Sequence, residues 1–84
     1  MGETEKLMPM VINALEYYDG SASVLEISKY IWTNHEEDLR DSGELFYRWQ
    51  YVLRWAGLKL RKEGKLVSSN QSPRGVWLLH DWYS

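Results

Sequence analysis

Residues 48–67 read RWQYVLRWAGLKLRKEGKLV. On a helical wheel of 100° per residue centred on Trp49, residues Leu45, Val52, Leu53, Ala56 and Leu60 fall within about 60° of it. The spacing predicts a long helix over 44–63 that buries this stripe. Gly64 follows as the glycine that ends it. The opposite face carries Tyr47, Gln50, Tyr51, Arg54, Leu58, Arg61 and Lys62, flanked by Arg48 and Trp55. One side of the helix therefore demands a core, and the other is basic and aromatic in a way that no core requires. Gly57 and Trp55 are weaker helix formers than such a helix would favour.

Working outward, KLVSS after Gly64 reads as a strand, NQSPRG as a turn and VWLLH as a returning strand, placing a hairpin at 65–69 and 75–80. Upstream, residues 1–6 are polar and expected to be loose. Pro9 suits the first turn of a helix, where its missing N–H costs nothing. Val11, Ile12, Leu15 and Tyr18 then recur at helical spacing until Asp19-Gly20 stops them, giving a helix over 9–18. Ser23 and Glu26 form a capping box that opens a second helix over 24–34, with Ile27 and Ile31 turned inward. Ser21 to Ser23 leave room for a very short strand. HEEDLRDSGE, residues 35–44, reads as a charged connection. The predicted core joins Trp49, Leu53, Ala56, Leu60 and Trp77 to Leu15, Ile27 and Ile31. This order of elements is α+β, a winged helix-turn-helix of three helices with a C-terminal β-hairpin wing. It forms a single domain over 7–84.

The charge is divided between the halves. The 84 residues carry a net −2. Residues 1–45 hold Lys6, Lys29 and Arg40 against ten acids, and residues 46–84 hold seven bases against Glu63 and Asp81. A low overall charge thus conceals a basic half, which points to a polyanionic partner. There is no cysteine, so neither a disulfide framework nor a thiolate metal site is available. That suits a reducing compartment, and the expected location is cytoplasmic, associated with the nucleoid in a prokaryote. No apolar run approaches the length of a membrane span.

In a winged helix the third helix enters the DNA major groove and the hairpin loop lies against the backbone. Arg48, Arg54, Arg61 and Lys62 would neutralise phosphates or bond guanine edges, Gln50 would read adenine, and Tyr51 would anchor a phosphate. Arg74 stands at the wing tip, where Pro73 stiffens the turn. Double-stranded DNA is therefore the first expected partner. Trp55 and Leu58 do not suit a solvated face. Either they pack under a terminal segment or, with Trp82, they meet a protein partner such as a second copy, since interface anchors favour Trp, Tyr and Arg. Single strands or RNA stacked on the tyrosines are a third option.

Catalytic chemistry has little footing. His35 and His80 are the only histidines, and neither has a partner at ligand spacing. HEED lacks the alternating ligands, central glycine and distal glutamate of a calcium loop. No phosphate-cradling loop or nucleophile elbow occurs. The expectation is a protein that is not an enzyme and needs no metal or cofactor.

LMPMVINAL, SVLEISKYI, DSGE, RWAGLKLRKEGKLV and RGVWLL together resemble the N-terminal domain of Mrr-type restriction proteins. There a proline precedes an apolar first helix, and a tryptophan-alanine helix exits through lysine and glycine into an Arg-Gly wing. The likeness runs from about Leu7 to Leu79. It implies a DNA-binding winged helix that usually precedes a nuclease domain. The nuclease motif itself is not in these residues, which would make the chain an excised domain or a stand-alone relative.

Overall fold

The computed structural model describes residues 2–83, with side chains through residue 81. Its elements are α1 (Glu3–Tyr17), β1 (Ser21–Ser23), α2 (Val24–Arg40), α3 (Leu45–Lys62), β2 (Val76–Leu78) and the single turn α4 (His80–Tyr83). The architecture is α+β: three long helices with a two-stranded antiparallel sheet.

The sheet pairs Ser21 with Leu78, Ala22 with Trp77 and Ser23 with Val76. Two further bonds extend the join, from Leu79 N–H to the Gly20 carbonyl (2.8 Å) and from Val24 N–H to the Gly75 carbonyl (3.2 Å). This pairing takes the place of the expected hairpin, because residues 65–69 form no strand. Residues 65–69 meet the returning strand only at the bridge between Leu66 and Leu79, with Val67 N–H donating to the Leu78 carbonyl at 2.9 Å. His80, read as the end of the strand, instead begins α4, and its N–H turns to the Lys65 carbonyl at 3.0 Å.

α1 begins at Glu3, six residues before the expected start at Pro9. Gly2 caps it, its N–H bonded to Glu5 Oε1 at 2.9 Å. Pro9 lies inside the helix, at the cost of one backbone hydrogen bond. Leu7 explains the earlier start. It is fully buried, in register with Val11 and Leu15, so the helix must reach back past Pro9 to place it in the core. The segment expected to be loose thus carries the first turn of α1. Asp19 (φ 60°) and Gly20 (φ 92°) then swing the chain into β1.

The capping box of α2 is formed in both directions, Ser23 N–H to Glu26 Oε1 at 2.8 Å and Glu26 N–H to Ser23 Oγ at 3.1 Å. The helix does not stop at Asn34. It bends at His35 (φ −129°, ψ 20°) and continues to Arg40, so most of the stretch read as a charged connection is helical. Leu39, fully buried, provides the apolar contact that holds this extension. Glu36 and Arg40 add an ion pair at 2.7 Å. The Arg40 guanidinium also lies 5.4 Å from the Trp32 ring and 5.2 Å from that of Phe46.

α3 falls within one residue of its expected ends. The whole inward stripe from Leu45 through Trp49, Val52, Leu53 and Ala56 to Leu60 is buried. Trp49 stacks on Trp32 with centroids 6.3 Å apart and planes 6° from parallel. Gly57 answers a packing demand rather than a conformational one. A Cβ there would lie 2.5 Å from the ring of Trp77, so the indole rests directly on the helix backbone. All eight residues of the predicted core are buried in one cluster, joined by Leu7, Met10, Val11, Ala14, Leu39, Leu66 and Leu79. Among the described residues no polar or charged side chain is buried with them, and no helix is long and apolar enough to cross a membrane.

Candidate nucleic-acid interface

The packing of α3 sorts its outward residues into three groups. α1 lies along one edge. There the Arg48 guanidinium donates to the Glu3 carboxylate and the Lys59 ammonium to that of Glu5. Glu5 is held twice, by the Gly2 N–H on one oxygen and by Lys59 on the other. The ammonium beside it, with its backbone hydrogen bonds, keeps the Glu5 carboxyl below the ordinary carboxylate value. The carboxylate in turn raises Lys59 above the usual lysine value.

β2 covers the opposite edge near the helix C-terminus. Arg61 is half-buried there. Its Nε donates to the Val67 carbonyl at 3.3 Å and its guanidinium lies 5.8 Å from the Trp77 ring. This arginine is engaged by the fold through a hydrogen bond and a cation–π contact.

Between these edges lies the outward face. Gln50, Tyr51, Arg54 and Lys62 are exposed on it, as is Tyr47, at 84%. Among the described residues, Arg54 and Lys62 have no carboxylate within ion-pair distance. Gln50 has no hydrogen-bond partner there either. Two unneutralised cations, an amide and two phenols on one helix face make a surface suited to a polyanion, with donors for phosphate and base edges.

Arg74 projects from the loop joining the bridge at Leu66 to β2, and is exposed. The loop has its own internal order. Gln71 N–H bonds the Ser68 carbonyl at 3.0 Å and Val76 N–H bonds that of Pro73 at 3.1 Å. The positive φ of Gly75 (75°) reverses the chain at its end. Its tie to Val24 fixes the base of the loop to the start of α2.

Trp55 and Leu58 sit beside the first turn of α1, lining with Thr4, Glu5, Lys59 and Lys62 an open pocket of about 400 Å³. They are flanked by the N-terminal segment but not covered by it, and remain 50% and 42% exposed. Trp82 lies outside the described side chains. A second depression, absent from the sequence reading, opens between α2 and α3. Its volume is about 550 Å³ and its walls include Leu25, Trp32, Phe46, Trp49 and Gln50. A signal for it existed, since Leu25, Ser28, Lys29 and Trp32 recur at the i, i+3, i+4, i+7 spacing of a single helix face.

The HEED residues lie on the second part of α2 rather than in a loop. His35 Nδ1 is 3.9 Å from Asp38, and among the described residues no three metal-ligating side chains come together. No protein-family model matches the chain, and neither the curated proteins nor the solved structures hold a significant match.

Proposed function

We propose that this chain is a winged-helix module that binds double-stranded DNA, with α3 entering the major groove and the loop of residues 68–75 lying along the backbone as the wing. The observation that carries the reading is the outward face of α3. Gln50, Arg54 and Lys62 stand there exposed and, among the described residues, unpartnered, although the same helix pairs or packs its other bases. The wiring supports it. Helix, strand, helix, helix and returning strand follow in order, with the first strand paired to the last, as in winged helices. The resemblance to the N-terminal domain of Mrr-type restriction proteins points the same way. In that setting the module would work in the cytoplasm and bring an adjoining nuclease domain to its target.

Titration with a random duplex, followed by amide NMR, tests the proposal. Shifts should cluster on residues 44–62 and 70–75, and affinity should fall steeply with salt as condensed counterions cease to be worth releasing. Shifts confined to α1 and α2 would sink it. A second reading has one specific observation in its favour, the half-exposed Trp55 and Leu58 beside Tyr51. Those three would anchor a protein partner or a second copy. Salt-insensitive, concentration-dependent association of the chain without DNA would select that reading.

A further inference from the structure

We infer that the edge of α3 bearing Arg48 and Lys59 is a second anion-binding edge, closed by the acidic first turn of α1, and that a nucleic-acid backbone engaging it displaces Glu3 and Glu5. The inference rests on the nucleic-acid reading and extends it to Lys59, a residue on no face that the sequence singled out.

Arg48 and Lys59 lie three turns apart on one side of α3, about 16 Å along its axis at the helical rise. Each meets one carboxylate, and both carboxylates come from a single turn of α1. To a guanidinium or an ammonium, a carboxylate and a phosphate oxygen offer the same acceptor. Glu3 and Glu5 thus occupy the positions where phosphates would dock.

The closure is built to open. All four side chains are between a third and a half exposed, so water and salt reach both pairs and each holds weakly. Leu7 is the first fully buried residue of α1, and none of the described residues before it is buried. The first turn can therefore unwind without disturbing the core. Glu5 also holds the helix cap through Gly2, so displacing Glu5 loosens the cap and the ion pair together. Lys62, exposed on the outward face, lines the same pocket as Lys59 and Glu5. Opening the turn would join the Arg48–Lys59 edge to the face already assigned.

The test measures binding of a random 20-base-pair duplex across a salt series, using the full chain, E3Q/E5Q and a control variant, E16Q/E37Q. The control removes the same charge from exposed acids elsewhere. E3Q/E5Q should bind several-fold tighter, up to about tenfold, as two weak exposed pairs permit. Its logarithmic salt slope should steepen by about one to two units as two more phosphates are neutralised. Adding R48A/K59A to E3Q/E5Q should return both values to those of the unaltered chain. Unwinding of the first turn in E3Q/E5Q, seen by circular dichroism, would not confuse the result, because it frees the same two bases. Equal gains in E3Q/E5Q and E16Q/E37Q, or no gain in either while the unaltered chain binds, would overturn the masked edge and leave the DNA reading standing. Absence of duplex binding by every variant at low salt would overturn both.

Discussion

The inward and outward sides of α3 are made from similar residues put to opposite uses. Inward, each side chain fits a neighbour: Trp49 lies on Trp32, and Gly57 leaves space for Trp77. Outward, Tyr47, Tyr51 and Arg54 face solvent. The difference separates residues whose identity is demanded by packing from those that packing leaves free. It carries a rule that experiment can break: inward substitutions should change stability, and outward ones should change binding alone.

The largest effect is expected on the inward side. Trp49→Ala should cost roughly 3–5 kcal/mol, a large share of the total stability of a domain this small. Thermal or urea unfolding followed by circular dichroism would measure it. A loss below about 1 kcal/mol would mean that the Trp32–Trp49 stack does not hold the helix. Gly57→Ala sharpens the comparison, because helix propensity and packing oppose each other there. Alanine gains about 1 kcal/mol of propensity, but its methyl meets the Trp77 ring, and overpacking costs typically 1–3 kcal/mol. The melting temperature should fall. A rise would show that the indole can move away from the helix.

On the outward side, Arg54→Ala should weaken duplex binding on every sequence and flatten the logarithmic salt slope by about one unit. Its melting temperature should match that of the unaltered chain. A drop in stability alongside the loss of binding would break the division between the two sides. Arg74→Ala should act in the same sense but more weakly, with a stability change within about 0.5 kcal/mol.

The smallest effect belongs to Glu5, whose role lies between the two sides. The folded-state value of its carboxyl is depressed, chiefly by Lys59. Its stabilisation is therefore present above the ordinary value of 4.5 and is lost as pH falls through the depressed one. Lys59 is raised, so its share is present below 10.5 and is lost only as pH rises through the raised value. Glu5→Gln should lower the melting temperature slightly near neutral pH. The gap to the unaltered chain should close in acid, once Glu5 is protonated in both folded and unfolded chains. A gap of constant size across acid and neutral pH would leave only the cap on Gly2 as the role of Glu5.

What the sequence made legible follows the same division. The inward stripe of α3 announced itself by period, its end by Gly64, and the start of α2 by the Ser23–Glu26 box, because each is a local pattern. Features set by distant parts of the chain left no such mark. Nothing near Arg48 or Lys59 indicates that α1 supplies their carboxylates. Gly57 looks like a weak helix former until Trp77 is seen above it. The early start of α1 and the extension of α2 were hidden differently. Pro9 and the run of charges outweighed Leu7 and Leu39, single apolar residues whose burial decides both cases. On the outward side, residue type marked the candidates, but which of them stay free depends on the packing of α1 and β2.

The pairing of Ser21–Ser23 with Val76–Leu78 has a consequence for the order in which the molecule can be assembled. Helices form from near neighbours and can appear early, whereas this sheet joins segments from opposite ends of the domain and must close a long loop before any of its bonds is made. Trp77 and Leu79 enter the core only with that closure. During synthesis, α1, α2 and α3 would therefore emerge with their apolar stripes partly uncovered, and the last strand seals them. A chain halted before Val76 should resemble a loose three-helix intermediate, open to proteolysis and to association through the surface that Trp77 normally covers.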